Sequence, residues 1–180
     1  MPQFVRQAHA ELINTGVKNL SIQGNIIKGR ANWHTAFRCI YQCRLANRVL
    51  IQLSERKIKD RQDIYDWVYA IAWENIIPAD KTFAVDVQGT HHFFSRLDFA
   101  ALVVKDALVD RCRSKYGSRP NVNSTSPDIR LHLFLHDSYA SILSIDLGNG
   151  SLHRRGLRIK DAPAPINEVL AASILEYAEY

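Results

Sequence analysis

The segment Ile129-Arg-Leu-His-Leu-Phe-Leu-His136 determines the fold class of this chain. Every second residue is aliphatic, and the residues between are cationic, imidazole or aromatic, so one face of the segment is suited to burial. This period-two alternation is typical of a half-buried β-strand. Because single-faced strands need a second layer to cover them, the rest of the chain must supply amphipathic helices.

The sequence on both sides of this segment supplies such helices. Alternating apolar residues predict three further strands, at 48–54, 82–88 and 139–147. Helical periodicity predicts helices between the strands, at 33–46, 60–73 and 96–116. We therefore predict an α+β fold in which the four strands share one mixed sheet and the three helices cover one of its faces.

Capping and turn residues set the remaining boundaries. Gly16 ends a helix over 4–15, and Gln23-Gly24-Asn25 is a turn between two short strands in 17–28. Asp137-Ser138 is a hairpin turn. Ile142 and Leu143 interrupt the alternation of the following strand, which suggests a β-bulge there. A last helix is predicted over 166–178.

The helix over 33–46 carries an unusual stripe. Trp33, Ala36, Phe37 and Ile40 recur at helical spacing, and Arg44 continues the same line. Cys39 and Cys43 lie one turn apart, and with no second ligand pair they are expected to be buried apolar cysteines.

Length and composition indicate one ordinary domain, or one domain with a small appendage. The chain has 180 residues, of which 47% are hydrophobic and 23% charged. No apolar run approaches the ~20 residues that cross a bilayer, and the first residues lack the apolar core of a signal peptide. Three cysteines without framework spacing argue against a disulfide scaffold. A reduced, cytoplasmic location is therefore expected.

The charge is distributed unevenly. The chain has 23 basic and 18 acidic residues, and all 23 basic residues lie within 1–160. The last 20 residues carry four acids and neither Lys nor Arg. A basic body of this kind favours a polyanionic partner, with nucleic acid first, although the charge could also serve solubility alone.

Motifs for catalysis are weak. The sequence has no GxSxG, HExxH, Walker A or GxGxxG pattern. His132 and His136 face the same side of a strand, but their spacing of ~13 Å is too long for a shared metal ion. His91 and His92 are adjacent in an expected loop, without a carboxylate clearly placed to orient them. A separate hypothesis is that the chain is a small enzyme that uses His91 or His92.

The candidate binding residues are cations. Arginine suits phosphate because its planar guanidinium bonds two oxygens at once. No acid interrupts the run from Arg154 to Lys160, so mutual neutralisation within it is not expected. We predict that the phosphates of a nucleic-acid partner are contacted by Arg44, Arg48, Arg96, Lys105, Arg119, Arg130, Arg154, Arg155 and Arg158.

Several short motifs occur in a characteristic order. They are Gln23-Gly-Asn-Ile-Ile27, Cys43-Arg-Leu-Ala-Asn-Arg48, Lys105-Asp-Ala-Leu-Val-Asp110, Arg119-Pro-Asn-Val122, Pro127-Asp-Ile-Arg130, Ile145-Asp-Leu147 and Ser151-Leu-His-Arg-Arg-Gly-Leu-Arg158. Together they resemble the N-terminal half of the bacterial L-type large-subunit (23S) ribosomal RNA guanine-N2 methyltransferases. That half contains a THUMP domain, an RNA-binding fold.

The resemblance implies a division of the chain. It implies a partial ferredoxin-like subdomain at 1–32, the THUMP domain at 33–147, a basic motif and linker at 148–165, and the start of a methyltransferase domain at 166–180. Two departures accompany it. The chain begins within the family's first helix, and Leu157 stands where the family usually has an aromatic residue.

The resemblance also implies a function. The chain is expected to be the RNA-binding module of an S-adenosylmethionine-dependent ribosomal RNA methyltransferase, and to position rRNA for a catalytic domain. The glycine-rich loop and the Asn-Pro-Pro-Tyr-type motif of that domain do not occur in these 180 residues. No cofactor, metal, small-molecule substrate or membrane is therefore expected for this chain. The alternative is a stand-alone protein-interaction domain with a solubilising basic face.

Overall fold

A computed structural model describes residues 2–152 and 166–178 of the chain. The helices and strands of these residues are, in order, α1 (Pro2–Thr15), β1 (Lys18–Gln23), β2 (Ile26–Arg30), α2 (Trp33–Gln42), β3 (Leu50–Arg56), α3 (Arg61–Tyr69), a 3-10 turn (Trp73–Asn75), β4 (Thr82–Thr90), α4 (Leu97–Tyr116), β5 (Asn121–Val122), β6 (Ile129–His136), β7 (Ser141–Asp146) and α5 (Glu168–Tyr177). Two compact units result. Leu50–Asn149 forms the second unit, and the first combines Met1–Val49 with Gly150–Tyr180.

A five-stranded mixed sheet forms the centre of the second unit. Its strand order is β3-β7-β6-β4-β5. Strand β4 is parallel to β5 and β6, whereas β7 is antiparallel to both of its neighbours, β3 and β6. The four predicted strands therefore share one sheet, and the predicted α+β class is confirmed.

The core of the second unit lies between this sheet and two helices. Leu131, Leu133 and Leu135 of β6 are fully buried, as the alternation predicts. They belong to one cluster with residues of α3 and α4, such as Ile64 and Leu108. Burial of such side chains contributes roughly 1.5–3 kcal/mol each, so the cluster provides much of the stability of this unit.

Helix α2 departs from the prediction. It belongs to the first unit, where it packs against α1, and is not one of the helices that cover the sheet. It also ends at Gln42 rather than at residue 46, because the carboxylate of Glu11 accepts hydrogen bonds from the backbone amides of Arg44 (2.7 Å) and Leu45 (3.1 Å). These bonds hold the chain in a non-helical path after Cys43.

The first unit is built around α1. Gly16 follows this helix with a φ of 97°, as its predicted capping role requires, and the β1–β2 hairpin comes next. Cys39 and Cys43 are buried as expected. Burial, with the nearby Cys39 and Glu11, raises the pKa of the Cys43 thiol to about 12. The thiol is therefore protonated and chemically inert at neutral pH.

Three local features differ from the sequence prediction. Helix α3 ends at Tyr69 because the chain turns to bury Trp73, whose indole Nε1 donates to the Val68 carbonyl over 2.7 Å. The bulge between β3 and β7 lies at Leu53 of β3, not in β7. The segment between α4 and β6, for which no strand was predicted, contains β5, which extends the sheet beside β4.

Candidate RNA-binding surface

The first group of predicted cations lies between α2 and β3. The Arg44 side chain is 70% exposed, and its guanidinium lies 3.9 Å from Glu11 Oε1 and 3.4 Å from Glu176 Oε2. Exposed ion pairs of this length are weak, so a phosphate could displace them at little cost. Arg48 follows in the same segment and is half-buried.

The chain returns to this segment just before the basic run. The Leu152 amide donates to the Asn47 carbonyl over 2.9 Å, and the Ser151 hydroxyl is hydrogen-bonded to the Asn47 side chain. Leu152 itself is buried. The predicted contacts at Arg154, Arg155 and Arg158 lie outside the described residues, as does the rest of the predicted linker from residue 153 to 165, and they stay predictions.

A groove on the second unit contains two more of the predicted residues. Lys105 and Arg119 line it, and its other lining residues are Asp106, Val109, Asp110, Arg113 and Val122. Lys105 Nζ lies 3.7 Å from an Asp106 carboxylate oxygen, and Arg113 lies 3.7 Å from Asp110. The groove is thus of mixed charge.

Arg96 occupies the position before the first turn of α4. Its side chain is exposed, and a guanidinium nitrogen lies 2.7 Å from Asp98 Oδ2. A cation is disfavoured by the positive end of a helix dipole, and Asp98 in the first turn offsets this effect. The exposed guanidinium remains accessible to a phosphate.

Arg130 is largely buried, and its guanidinium is hydrogen-bonded within the protein. Its side chain is only 13% exposed. It donates to Asp86 Oδ1 (3.0 Å), to Asn149 Oδ1 (3.1 Å) and to the Ser124 carbonyl (3.4 Å). This geometry favours a structural role, in which the guanidinium ties β6 to β4 and to the adjoining loops.

An aromatic face on α2 was not anticipated. Trp33, Phe37 and Tyr41 are 64%, 48% and 79% exposed, and the rings of Trp33 and Phe37 stack with centroids 6.1 Å apart. Their i, i+4, i+8 spacing was visible in the sequence. It marked a helical stripe, but periodicity alone does not tell which face of a helix is covered.

A second unanticipated group lies where β4 and β6 end. His91, His92 and Asp137 each place one potential ligand atom there, and these atoms all lie within 4.8 Å of one another. The sequence showed the two histidines without a carboxylate. Asp137 comes close to the histidines because β4 and β6 are parallel and pair Thr90 with His136. This register cannot be read from the sequence.

Comparison with known proteins identifies the second unit. Residues 59–146 match the family model of the THUMP domain. The chain contains a THUMP domain. Over 160 residues it is 42% identical to the ribosomal RNA large subunit methyltransferase K/L of Pseudomonas entomophila, an alignment that covers 89% of this chain and 22% of that protein. The predicted resemblance to this family is confirmed.

Solved structures share the fold of nearly the whole chain. A possible methylase from Clostridium difficile superimposes with a TM-score of 0.83 at 22% identity, and a putative methyltransferase complexed with SAH superimposes with a TM-score of 0.79 at 22% identity. Each match covers 98% of this chain and 46% of the other.

The matched region is a small part of the relatives. The chain spans about a fifth of the length of the curated methyltransferases that it matches. Among the described residues, no helix has the length and hydrophobicity that a bilayer crossing requires.

Proposed function

We propose that this chain is the RNA-binding module of an S-adenosylmethionine-dependent ribosomal RNA guanine-N2 methyltransferase that acts in the cytoplasm. The observation that supports this most strongly is the THUMP domain within a chain 42% identical to a large-subunit rRNA methyltransferase. The module holds structured rRNA by its phosphates and shape, so that a base reaches a catalytic domain.

The first unit supplies the main phosphate contacts in this proposal. Leu152 is anchored on Asn47, next to Arg48 and three residues beyond Arg44. Arg154 follows Leu152 by two positions in the sequence. In this proposal, Arg154, Arg155 and Arg158 act together with Arg44 and Arg48 in binding phosphates.

The aromatic face of α2 adds a stacking contribution. Exposed aromatic rings bind unpaired bases through their faces, with about 1–3 kcal/mol per base. Trp33, Phe37 and Tyr41 present three such rings on one helix, together with the exposed Arg38. We propose that unpaired nucleotides of the bound rRNA stack on this face while phosphates contact the nearby cations.

The second unit contributes a second, weaker set of contacts. Lys105 and Arg119 in the groove and Arg96 at the start of α4 are the predicted residues here. The acids beside them reduce the net positive potential, so each contact adds less than one from the acid-free run. Arg130 acts mainly in holding the sheet.

Catalysis and cofactor binding belong to the remainder of the full-length enzyme in this proposal. One structural relative is a putative methyltransferase complexed with SAH, which fits S-adenosylmethionine as the methyl donor of the whole protein. The segment at 166–180 would then open the methyltransferase domain, after a ferredoxin-like subdomain at 1–32, a THUMP region at 33–147 and a linker at 148–165.

Salt-dependent RNA binding tests the proposal. The affinity of the purified chain for a structured fragment of large-subunit rRNA is measured by fluorescence anisotropy between 50 and 300 mM KCl. We expect log affinity to fall linearly with log salt, by about 0.7–0.9 per phosphate contact. Absence of binding at low salt would favour the alternative of a protein-interaction domain.

A further inference from the structure

The carboxyl ends of β4 and β6 bring three side chains together. The parallel register pairs Thr90 with His136, so the residues that follow, His91, His92 and Asp137, meet at one end of the sheet. Asp137 Oδ1 lies 2.5 Å from His92 Nδ1 and 3.6 Å from His91 Nδ1. The same oxygen accepts the backbone amide of His92 over 2.8 Å.

We propose that His91, His92 and Asp137 form a binding site for a divalent transition-metal ion of the zinc class. Two imidazoles and one carboxylate are a ligand set that zinc accepts when three protein groups and a water surround it. The ligand atoms lie within 4.8 Å of one another. A tetrahedral ion with bonds near 2.0–2.2 Å needs ligand separations of about 3.3–3.6 Å, so the site needs only a small side-chain adjustment.

The adjustment falls on the exposed members of the set. The His91 side chain is 1% exposed, and its ring stacks on Phe93 with centroids 5.0 Å apart. His92 and Asp137 are 62% and 43% exposed. One ligand is therefore fixed by packing, whereas the other two can rotate around an incoming ion and leave a coordination position open to water.

The surrounding backbone is held before any ion arrives. The amide of Phe94 donates to the His91 carbonyl over 2.9 Å, and Arg61 Nε donates to the Phe93 carbonyl over 2.7 Å. On the other side, His136 Nδ1 accepts the amides of Ser138 (3.0 Å) and Tyr139 (3.2 Å), which shapes the turn that carries Asp137. A rigid scaffold of this kind keeps the entropic cost of binding low.

The ion would join two segments that are distant in sequence. It would link the turn after β4 to the hairpin between β6 and β7, at the carboxyl ends of β4 and β6. Because binding requires the folded arrangement of all three ligands, the metal ion should raise the melting temperature of the chain.

Calorimetry on the tag-free chain tests the proposal. We titrate zinc chloride into the wild type and into His92→Ala, Asp137→Asn and the control His34→Ala, which removes an exposed histidine on α2. We expect one ion per chain, affinity at least about 10-fold weaker in the first two variants, and an unchanged control. Circular dichroism verifies that each variant is folded.

A cobalt spectrum separates this site from the cysteines. Co²⁺ bound by imidazole and carboxylate lacks the intense thiolate-to-cobalt absorption that Cys39, Cys43 or Cys112 would cause. The proposal would be overturned if the folded wild type did not bind zinc stoichiometrically, or if His92→Ala and Asp137→Asn bound zinc as tightly as the wild type. A thiolate-to-cobalt absorption band would also overturn it.

Discussion

The backbone amide of Leu152 donates a hydrogen bond to the carbonyl of Asn47 across 2.9 Å. This bond fixes Leu152, two positions before Arg154 in the sequence, against the segment that carries Arg44 and Arg48. Both bonded residues belong to the first unit. The proposed RNA surface combines the cations of that segment with those that follow Leu152 in the sequence.

Removal of two cations from the run should weaken RNA binding in a salt-dependent way. In Arg154→Ala/Arg158→Ala, each lost phosphate contact should reduce the slope of log affinity against log salt by roughly 0.7–0.9. The loss should be similar for different RNA sequences, because phosphates carry no sequence information. Anisotropy titrations at several salt concentrations measure both effects.

A variant with the same charge change provides the control. Arg6→Ala/Lys18→Ala removes two exposed cations of the first unit that lie outside the proposed surface. Its slope should stay close to that of the wild type. Equal losses in the two double variants would show that net charge, and not the Arg154–Lys160 run, drives the binding.

Arg130→Ala should act on stability. The substitution removes the guanidinium that bonds Asp86, Asn149 and the Ser124 carbonyl. Hydrogen bonds to charged groups contribute about 1.5–3 kcal/mol, so we expect the free energy of unfolding to fall by about that amount in urea titrations. Arg119→Ala, at an exposed position, should leave it within about 0.5 kcal/mol. The structural role would be contradicted if Arg130→Ala lowered the slope of log RNA affinity against log salt and left the free energy of unfolding unchanged.

Gly89→Ala should be strongly destabilising. Gly89 has a φ of +99°, and a Cβ atom placed there would lie 2.0 Å from the Leu135 carbonyl oxygen in the neighbouring strand. Gly117→Ala is the matched comparison, because Gly117 also has a positive φ (+68°) but open space around its Cβ position. The second variant should lose about 1–2 kcal/mol, and Gly89→Ala should lose clearly more. Similar urea midpoints for the two variants would refute the close approach of β4 to β6.

Acid should remove a contribution from the Glu74–Arg111 pair. Two guanidinium nitrogens of Arg111 donate to the Glu74 carboxylate over 3.0 and 2.6 Å, and these bonds lower the Glu74 pKa from 4.5 to about 2. The folded pKa lies below the unfolded one, so the contribution is present above pH 4.5 and is lost as the pH falls toward 2. The melting temperature of Glu74→Gln should therefore lie below that of the wild type at pH 6, and the gap should close between pH 4.5 and 2. A gap that is constant with pH would contradict this pairing.

The sheet could be predicted because its signal is local. In β6, Leu131, Leu133 and Leu135 are fully buried as the alternation predicts, although His132 on the opposite face is buried as well. The leucines pack in one cluster with residues of the helices. For helix α2, the sequence did not indicate which face is covered. Its stripe of Trp33 and Phe37 had the period of a buried face, but Cys39 and Cys43 mark the covered side. Which face is covered depends on α1, and hence on tertiary packing.

The candidate sites required information that a linear pattern does not contain. His91 and Asp137 are 46 positions apart, and only the parallel pairing of β4 with β6 brings them together. Arg130 looked like an available cation because its partners Asp86 and Asn149 come from other segments. The acid-free run at 154–160 was visible in the sequence, but the hydrogen bonds of Ser151 and Leu152 to Asn47 were not.

Ultraviolet crosslinking of the chain to a large-subunit rRNA fragment, followed by mass spectrometry, tests where the proposed RNA surface lies. Aromatic side chains stacked on bases crosslink efficiently, and peptides beside them carry the attached nucleotides. We expect crosslinks in peptides from 33–48, which contain the aromatic face and Arg44, and in peptides from 151–160. A stable complex whose crosslinks all fall outside these two segments would contradict the proposed surface, and failure to form any complex at low salt would contradict RNA binding itself.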